Sequence, residues 1–151
     1  MYRKYDKIYY DWHDYAHDMK EVKALEFNHV VGIYRGSLGM AVHVSNLNNV
    51  PMSMIGFQTR DGEDKEPYWI HNLIDENTKT VLVVDDIFDT GHTMKKVVDH
   101  ISYSSWDCEV ISWCLFGKPN EQQVLYSQPH SDLWVVFPWE TVSSHTKENS
   151  F

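Results

Sequence analysis

The chain has 151 residues, with 13 Lys and Arg against 22 Asp and Glu and a formal net charge of −9. A single domain of that length can bury a core without staples, and the acidic balance with no basic block argues against nucleic-acid and anionic-membrane binding. No apolar run approaches the ~18 residues of a membrane span, and the N-terminal Met-Tyr-Arg-Lys-Tyr-Asp-Lys lacks a secretory core.

From the N-terminus, residues 7–10 predict a short strand. Asp11 follows as an N-cap, with Asp14 three positions on in a weak capping box. Trp12, Tyr15, Met19 and Val22, spaced 3, 4 and 3, predict one apolar helical face. His13 and His17 have a zinc-capable spacing on that helix, but no third ligand converges, which favours a solvated or half-buried face. Residues 29–34 predict a second strand ending at Arg35-Gly36-Ser37. Leu38, Ala41, Val42 and Ser45 then give helical spacing up to a turn at Asn46–Asn49. Residues 51–57 predict a third strand. The polar stretch 58–67, with Asp61-Gly62-Glu63-Asp64 inside it, has no periodicity and predicts a mobile loop.

The next segment is the most informative: Val81-Leu82-Val83-Val84-Asp85-Asp86-Ile87-Phe88-Asp89-Thr90-Gly91-His92-Thr93. Four consecutive apolar residues predict a strand buried on both faces, and two carboxylates stand at its carboxyl end, where open α/β sheets bind ligands. Asp89–Thr93 supplies a Gly and two hydroxyls before a helical pattern of Met94, Val97, Val98 and Ile101. Backbone N–H groups and the positive end of a helix make a phosphate cradle there. The succession describes a site for a phosphorylated sugar. A receiver domain would place its acceptor Asp after a later strand, whereas Asp132 precedes the apolar run 133–137. A phosphatase would need Asp-x-Asp directly after the strand, and a Walker Gly-x-x-x-x-Gly-Lys is absent.

Residues 110–116 predict a strand ending at Gly117-Lys118-Pro119, and 133–137 a last strand stopped by Pro138. The polar tail 143–151 is expected to fray. Cys108 and Cys114, if on one strand, lie about 20 Å apart, too far for a disulfide. They read as thiols of a reducing cytoplasm. Strands alternating with helices predict a single α/β domain over 1–151, with a mainly parallel sheet flanked by helices. Arg35-Gly36, Asp85-Asp86 and Lys118 each fall just beyond a strand's carboxyl end, so one sheet edge can hold them all.

The 81–93 segment resembles the phosphoribosyl-pyrophosphate (PRPP) signature of the type I phosphoribosyltransferases. From about residue 8 to 140 the chain is similar to the 6-oxopurine branch, most of all the bacterial xanthine-guanine kind. Tyr34-Arg35-Gly36-Ser37-Leu38 matches that branch's pyrophosphate loop, and Phe116-Gly117-Lys118-Pro119 its base-reading segment. Asp132-Leu133-Trp134 with Pro138-Trp139-Glu140 resembles its purine-stacking segment, Trp139 itself reading as packing.

This resemblance implies purine salvage: displacement of pyrophosphate from C1 of PRPP by guanine, xanthine or hypoxanthine, giving a purine mononucleotide. It implies Mg²⁺, held by Asp85 and Asp86, which also meet the ribose hydroxyls. Asp89 is implied as general acid or base beside purine N7. Asp89, Thr90, Gly91, His92 and Thr93 would hold the 5′-phosphate, and Arg35 and Gly36 the pyrophosphate. Lys118 would donate to the purine O6, Trp134 would stack on the base, and the Val135 backbone would meet its 2-position. A homo-oligomer, dimer or tetramer, is implied too. A hood loop over about 58–70 is expected, here with Arg60 and Lys65 among Asp61, Glu63, Asp64 and Glu66. The alternative function is a non-catalytic PRPP or purine-nucleotide binding protein on the same fold.

Overall fold

The computed structural model describes residues 1–60, 63–104 and 107–140. In chain order its elements are β1 (Tyr2–Lys4), β2 (Lys7–Tyr9), α1 (Trp12–Lys23), β3 (His29–Tyr34), α2 (Leu38–Asn48), β4 (Met52–Gly56) and β5 (Thr59–Arg60). β6 (Glu63–Asp64), β7 (Tyr68–His71), β8 (Thr80–Ile87), α3 (His92–Tyr103), β9 (Glu109–Gly117), β10 (Leu125–Pro129) and β11 (Trp134–Val136) follow. They divide into two compact units, Glu21–His130 and Met1–Lys20 with residues 131–140.

In the larger unit six strands form one sheet in the order β10-β9-β8-β3-β4-β7. All pairs are parallel except β4–β7. β8 lies mid-sheet, and Val81, Leu82, Val83 and Val84 are completely buried, as an unbroken apolar run demands. The pleat sends alternate residues to opposite faces. Val81 and Val83 join Val31, Ile33 and the α3 residues Met94, Val97 and Ile101 in one core. On the other face Gly32 admits α2 so closely that a Cβ there would lie 2.6 Å from the Ala41 Cβ.

α3 buries the face its spacing predicts. α2 does not: Leu38 and Val42 are exposed, while Met40, Ala41 and Val44 are buried. Apolar residues surround this helix, so spacing alone selects no face, and the fit of Ala41 against Gly32 decides. The helix also runs through Asn46–Asn48, where a turn was expected. Only Asn49, left-handed at φ 52°, ends it, its N–H donating to Ser45 O. The stretch expected as a structureless loop contains the β5–β6 pair, Thr59 opposite Asp64 and Arg60 opposite Glu63. β7 then returns antiparallel along β4 within the expected hood range.

In the smaller unit β11 runs parallel to β2, which pairs antiparallel with β1. The last predicted strand therefore belongs to this three-stranded sheet. The capping box forms: Asp11 Oδ1 accepts the His13 and Asp14 N–H groups at 2.8 and 2.9 Å, and Asp14 Oδ2 accepts the Asp11 N–H at 3.0 Å. Tyr15, Met19 and Val22 are buried as spaced, but Trp12 is exposed, its ring edge-on to Tyr15 and tilted against Trp139. Trp139 stacks on Phe137 at 4.8 Å, a packing contact. His13 and His17 are exposed. Among the described residues no three His, Cys, Asp or Glu side chains gather as a metal cluster, and no helix is long and apolar enough to cross a membrane. Cys108 and Cys114 are unpaired thiols. The tail 143–151 lies outside the described residues.

One buried polar pair ties the sheet to the segment after β7. His29, fully buried at the start of β3, sets Nε2 2.7 Å from Ser53 Oγ, and Ser53 Oγ accepts the Leu73 N–H at 3.0 Å. Burial lowers the His29 pKa from its ordinary 6.5 to about 4. Below pH 6.5 the unfolded chain takes up a proton that the folded chain refuses until about pH 4. His29 therefore favours folding above pH 6.5, and that contribution is lost as pH falls through this window, by about 3 kcal/mol in full. Urea unfolding at pH 7.5, 5.5 and 4.5 should show this loss, and a non-titrating His29→Gln variant should show a flatter dependence. Parallel curves for the two proteins would remove His29 as the cause.

Candidate active site

β3, β8 and β9 are neighbours in the order β9-β8-β3, so their carboxyl ends lie side by side. Arg35 and Gly36 follow β3, Asp85 and Asp86 close β8, and Lys118 follows β9. The sheet edge read from the sequence therefore does gather these groups. The Tyr34–Arg35 peptide is cis. A Cβ at Gly36 would stand 2.6 Å from Asp86 Oδ2, so any other residue here would push that carboxylate aside.

Each acidic side chain is oriented by the next peptide. Asp85 Oδ1 accepts the Asp86 N–H at 3.0 Å, and Asp86 Oδ1 accepts the Ile87 N–H at 2.8 Å. Burial, then the adjacent Asp86 charge, hold the Asp85 carboxyl well above the usual carboxylate range. Two like charges fixed this way favour a cation or hydroxyl donors between them.

Asp89 begins the loop before α3. Gly91 directly precedes the helix at φ 80°, a conformation that L side chains rarely adopt, and a Cβ would run into the Gln122 amide and the Phe88 ring. Glycine brings no capping side chain, and the first turn of α3 carries no acidic residue. The end of the helix thus suits an anion. Thr90 Oγ1 accepts the His92 N–H at 3.4 Å, and the His92 ring meets Phe57 edge-on at 5.8 Å. Gln122 Nε2 donates to Gly91 O at 3.1 Å, pinning the loop from the β9–β10 connection.

Lys118 Nζ donates to Asp89 Oδ1 at 2.7 Å. Both side chains are open to solvent, at 40 % and 59 % exposure. The Lys118 hydrogen bond and then its charge hold the Asp89 carboxyl below its usual range, with a smaller contribution from His130. His130 Nε2 lies 4.0 Å from the same oxygen. Sequence reasoning missed Gln122 and His130, since neither belongs to a motif and only the fold of the β9–β10 connection brings them here. Trp134 and Val135 lie in the smaller unit on β11, Trp134 with 65 % of its surface exposed and Val135 buried.

A mainly parallel sheet with an acidic pair, an anion loop and a lysine at one edge is an arrangement suited to a phosphorylated sugar. The chain matches the phosphoribosyl transferase domain family over residues 2–143 and belongs to that family, one of glycosyltransferase-type enzymes with the type I fold. It is similar to the xanthine-guanine phosphoribosyltransferase of Chromohalobacter salexigens, 24 % identical over 140 residues, covering 90 % of this chain and 81 % of that one. Among solved structures it resembles a purine phosphoribosyltransferase from Pyrococcus horikoshii, with a TM-score of 0.73 and 28 % identity over 91 % of this chain and 95 % of that one. The Helicobacter pylori xanthine-guanine-hypoxanthine phosphoribosyltransferase shares the fold, with a TM-score of 0.78 at 20 % identity over 94 % and 99 % of the two chains.

Proposed function

We propose that this protein transfers the phosphoribosyl group of PRPP to a 6-oxopurine, releasing pyrophosphate and a purine 5′-monophosphate. What supports this reading above all is the 2.7 Å contact between Lys118 and Asp89, a donor and a proton acceptor set beside an anion loop. A phosphosugar site alone would leave the acceptor open, and this pair has the chemistry to handle an oxo group and a ring proton. The kinship with purine phosphoribosyltransferases points the same way.

In this reading the 5′-phosphate sits on the Asp89–Thr93 loop, where amides and the Thr90 and Thr93 hydroxyls replace its water. Arg35 and the Gly36 amide take pyrophosphate. The purine nitrogen bonds to C1 as the C1–oxygen bond to pyrophosphate breaks, through an oxocarbenium-like state whose positive charge the carboxylates stabilise. Asp89 manages the purine proton at N7, and Lys118 donates to O6. Asp85 and Asp86 are hard oxygen donors too few to form an all-protein cage, which fits Mg²⁺ completed by substrate oxygens and water. Such an ion would supply charge neutralisation for the departing pyrophosphate.

Lys118→Ala tests the choice of base. A site that hydrogen-bonds the substrate's oxo group disfavours analogues that leave the donor unpaired, so the preference for guanine over adenine should fall by about 10-fold or more in kcat/KM. An unchanged preference would make Lys118 a surface charge.

A further inference from the structure

We propose that His130 is a positioning residue for Asp89: it faces the carboxylate oxygen that Lys118 binds and keeps that carboxylate in place when Lys118 turns to a base. The proposal rests on the reading of Asp89 and Lys118 given above. The His130 backbone is fixed, since its N–H donates to Gly117 O at 2.6 Å, one residue before Lys118, and Pro129 pairs with Gly117 in the β10–β9 register. Its side chain is only 10 % exposed. Nε2 stands 4.0 Å from Asp89 Oδ1, whereas Nδ1 is buried with no hydrogen-bond partner among the described residues.

That asymmetry selects a tautomer. A proton on Nδ1 would be a buried donor without an acceptor, which is costly. The neutral ring therefore carries its proton on Nε2, aimed at Asp89. Lys118 shares the same oxygen, but from the end of a flexible four-carbon stem. Drawing Nζ toward a purine O6 lengthens its bond to Asp89, and the enclosed imidazole is the group that stays. Asp89 Oδ1 then closes the 4.0 Å gap to Nε2 and stays ionised, leaving Oδ2 for the purine proton. Among the described residues, Lys118 and His130 are the titratable groups whose charges act on Asp89.

The test reads Asp89 directly, by ¹³C NMR titration of its carboxyl in the full chain carrying Lys118→Met, which stands in for the lysine drawn away. Adding His130→Phe should raise the Asp89 midpoint by roughly half a pH unit or more. His130→Gln, which keeps an N–H donor but no charge, should recover only part of that displacement. No displacement with Phe would overturn the proposal. A reciprocal measurement leaves His130 intact: ¹⁵N shifts should show Nε2 protonated in the neutral ring. Nδ1 protonation would overturn it equally. In turnover, His130→Phe should lower kcat roughly 10-fold while product-nucleotide affinity stays within about twofold. If the wild type turns over no base at all, the transfer reading fails, while the NMR titrations still decide whether His130 holds Asp89.

Discussion

Asp89→Asn is expected to lower kcat by roughly 10²–10⁴, the usual worth of general acid–base catalysis, while product-nucleotide affinity falls only a few-fold. Asparagine keeps the shape of the side chain and can still meet Lys118, but it cannot accept the purine proton. Interactions that strengthen only in the transition state cost kcat without a matching loss of ground-state binding. The phosphate loop does not depend on the Asp89 charge: Gly91 is pinned by Gln122, and the uncapped α3 terminus persists. Calorimetry with the nucleotide beside a rate measurement separates the two effects. Equal rates for variant and wild type would take Asp89 out of the chemistry.

The second large effect concerns the acidic pair and carries opposite signs for stability and activity. Asp85 is half-buried beside Asp86, and its carboxyl is pushed well above the usual range by desolvation and by that neighbouring charge. Asp85→Asn removes the repulsion and keeps the oxygen that accepts the Asp86 N–H. The folded protein should gain about 1 kcal/mol, raising Tm by roughly 2–4 °C. Turnover should fall by about 10² or more, because a neutral amide cannot stabilise charge at the ribose or hold a hard cation. Asp86→Asn should lose activity comparably, and excess chelator should abolish it in the wild type. A variant both less stable and fully active would contradict the pairing argument and the proposed role together.

How much of this was legible in the sequence depends on how local each determinant is. The 81–93 run announces itself because the apolar block, acidic pair and glycine loop all lie within one strand and one helix end. The Asp11–Asp14 capping box is equally local and forms as read. Longer-range determinants were hidden. The face of α2 is chosen by Gly32 across the interface, and nothing in the spacing of Leu38 and Val42 reveals it. β7 and β10, short and half-exposed at the sheet edges, lack the alternation that marks a strand. The partner of β11 is β2, more than a hundred residues earlier, so its sheet could not be inferred from its own residues. His130 reaches Asp89 only because β10 pairs with β9, a pairing that no motif records.

The transfer reaction is tested by its stoichiometry. Purified protein with PRPP and Mg²⁺ should release pyrophosphate only when guanine, xanthine or hypoxanthine is added. One purine nucleotide should form per pyrophosphate, and adenine should be a poor substitute. Tight nucleotide binding with no base-dependent pyrophosphate release from any of the three would contradict the claim and leave a binding protein on this fold.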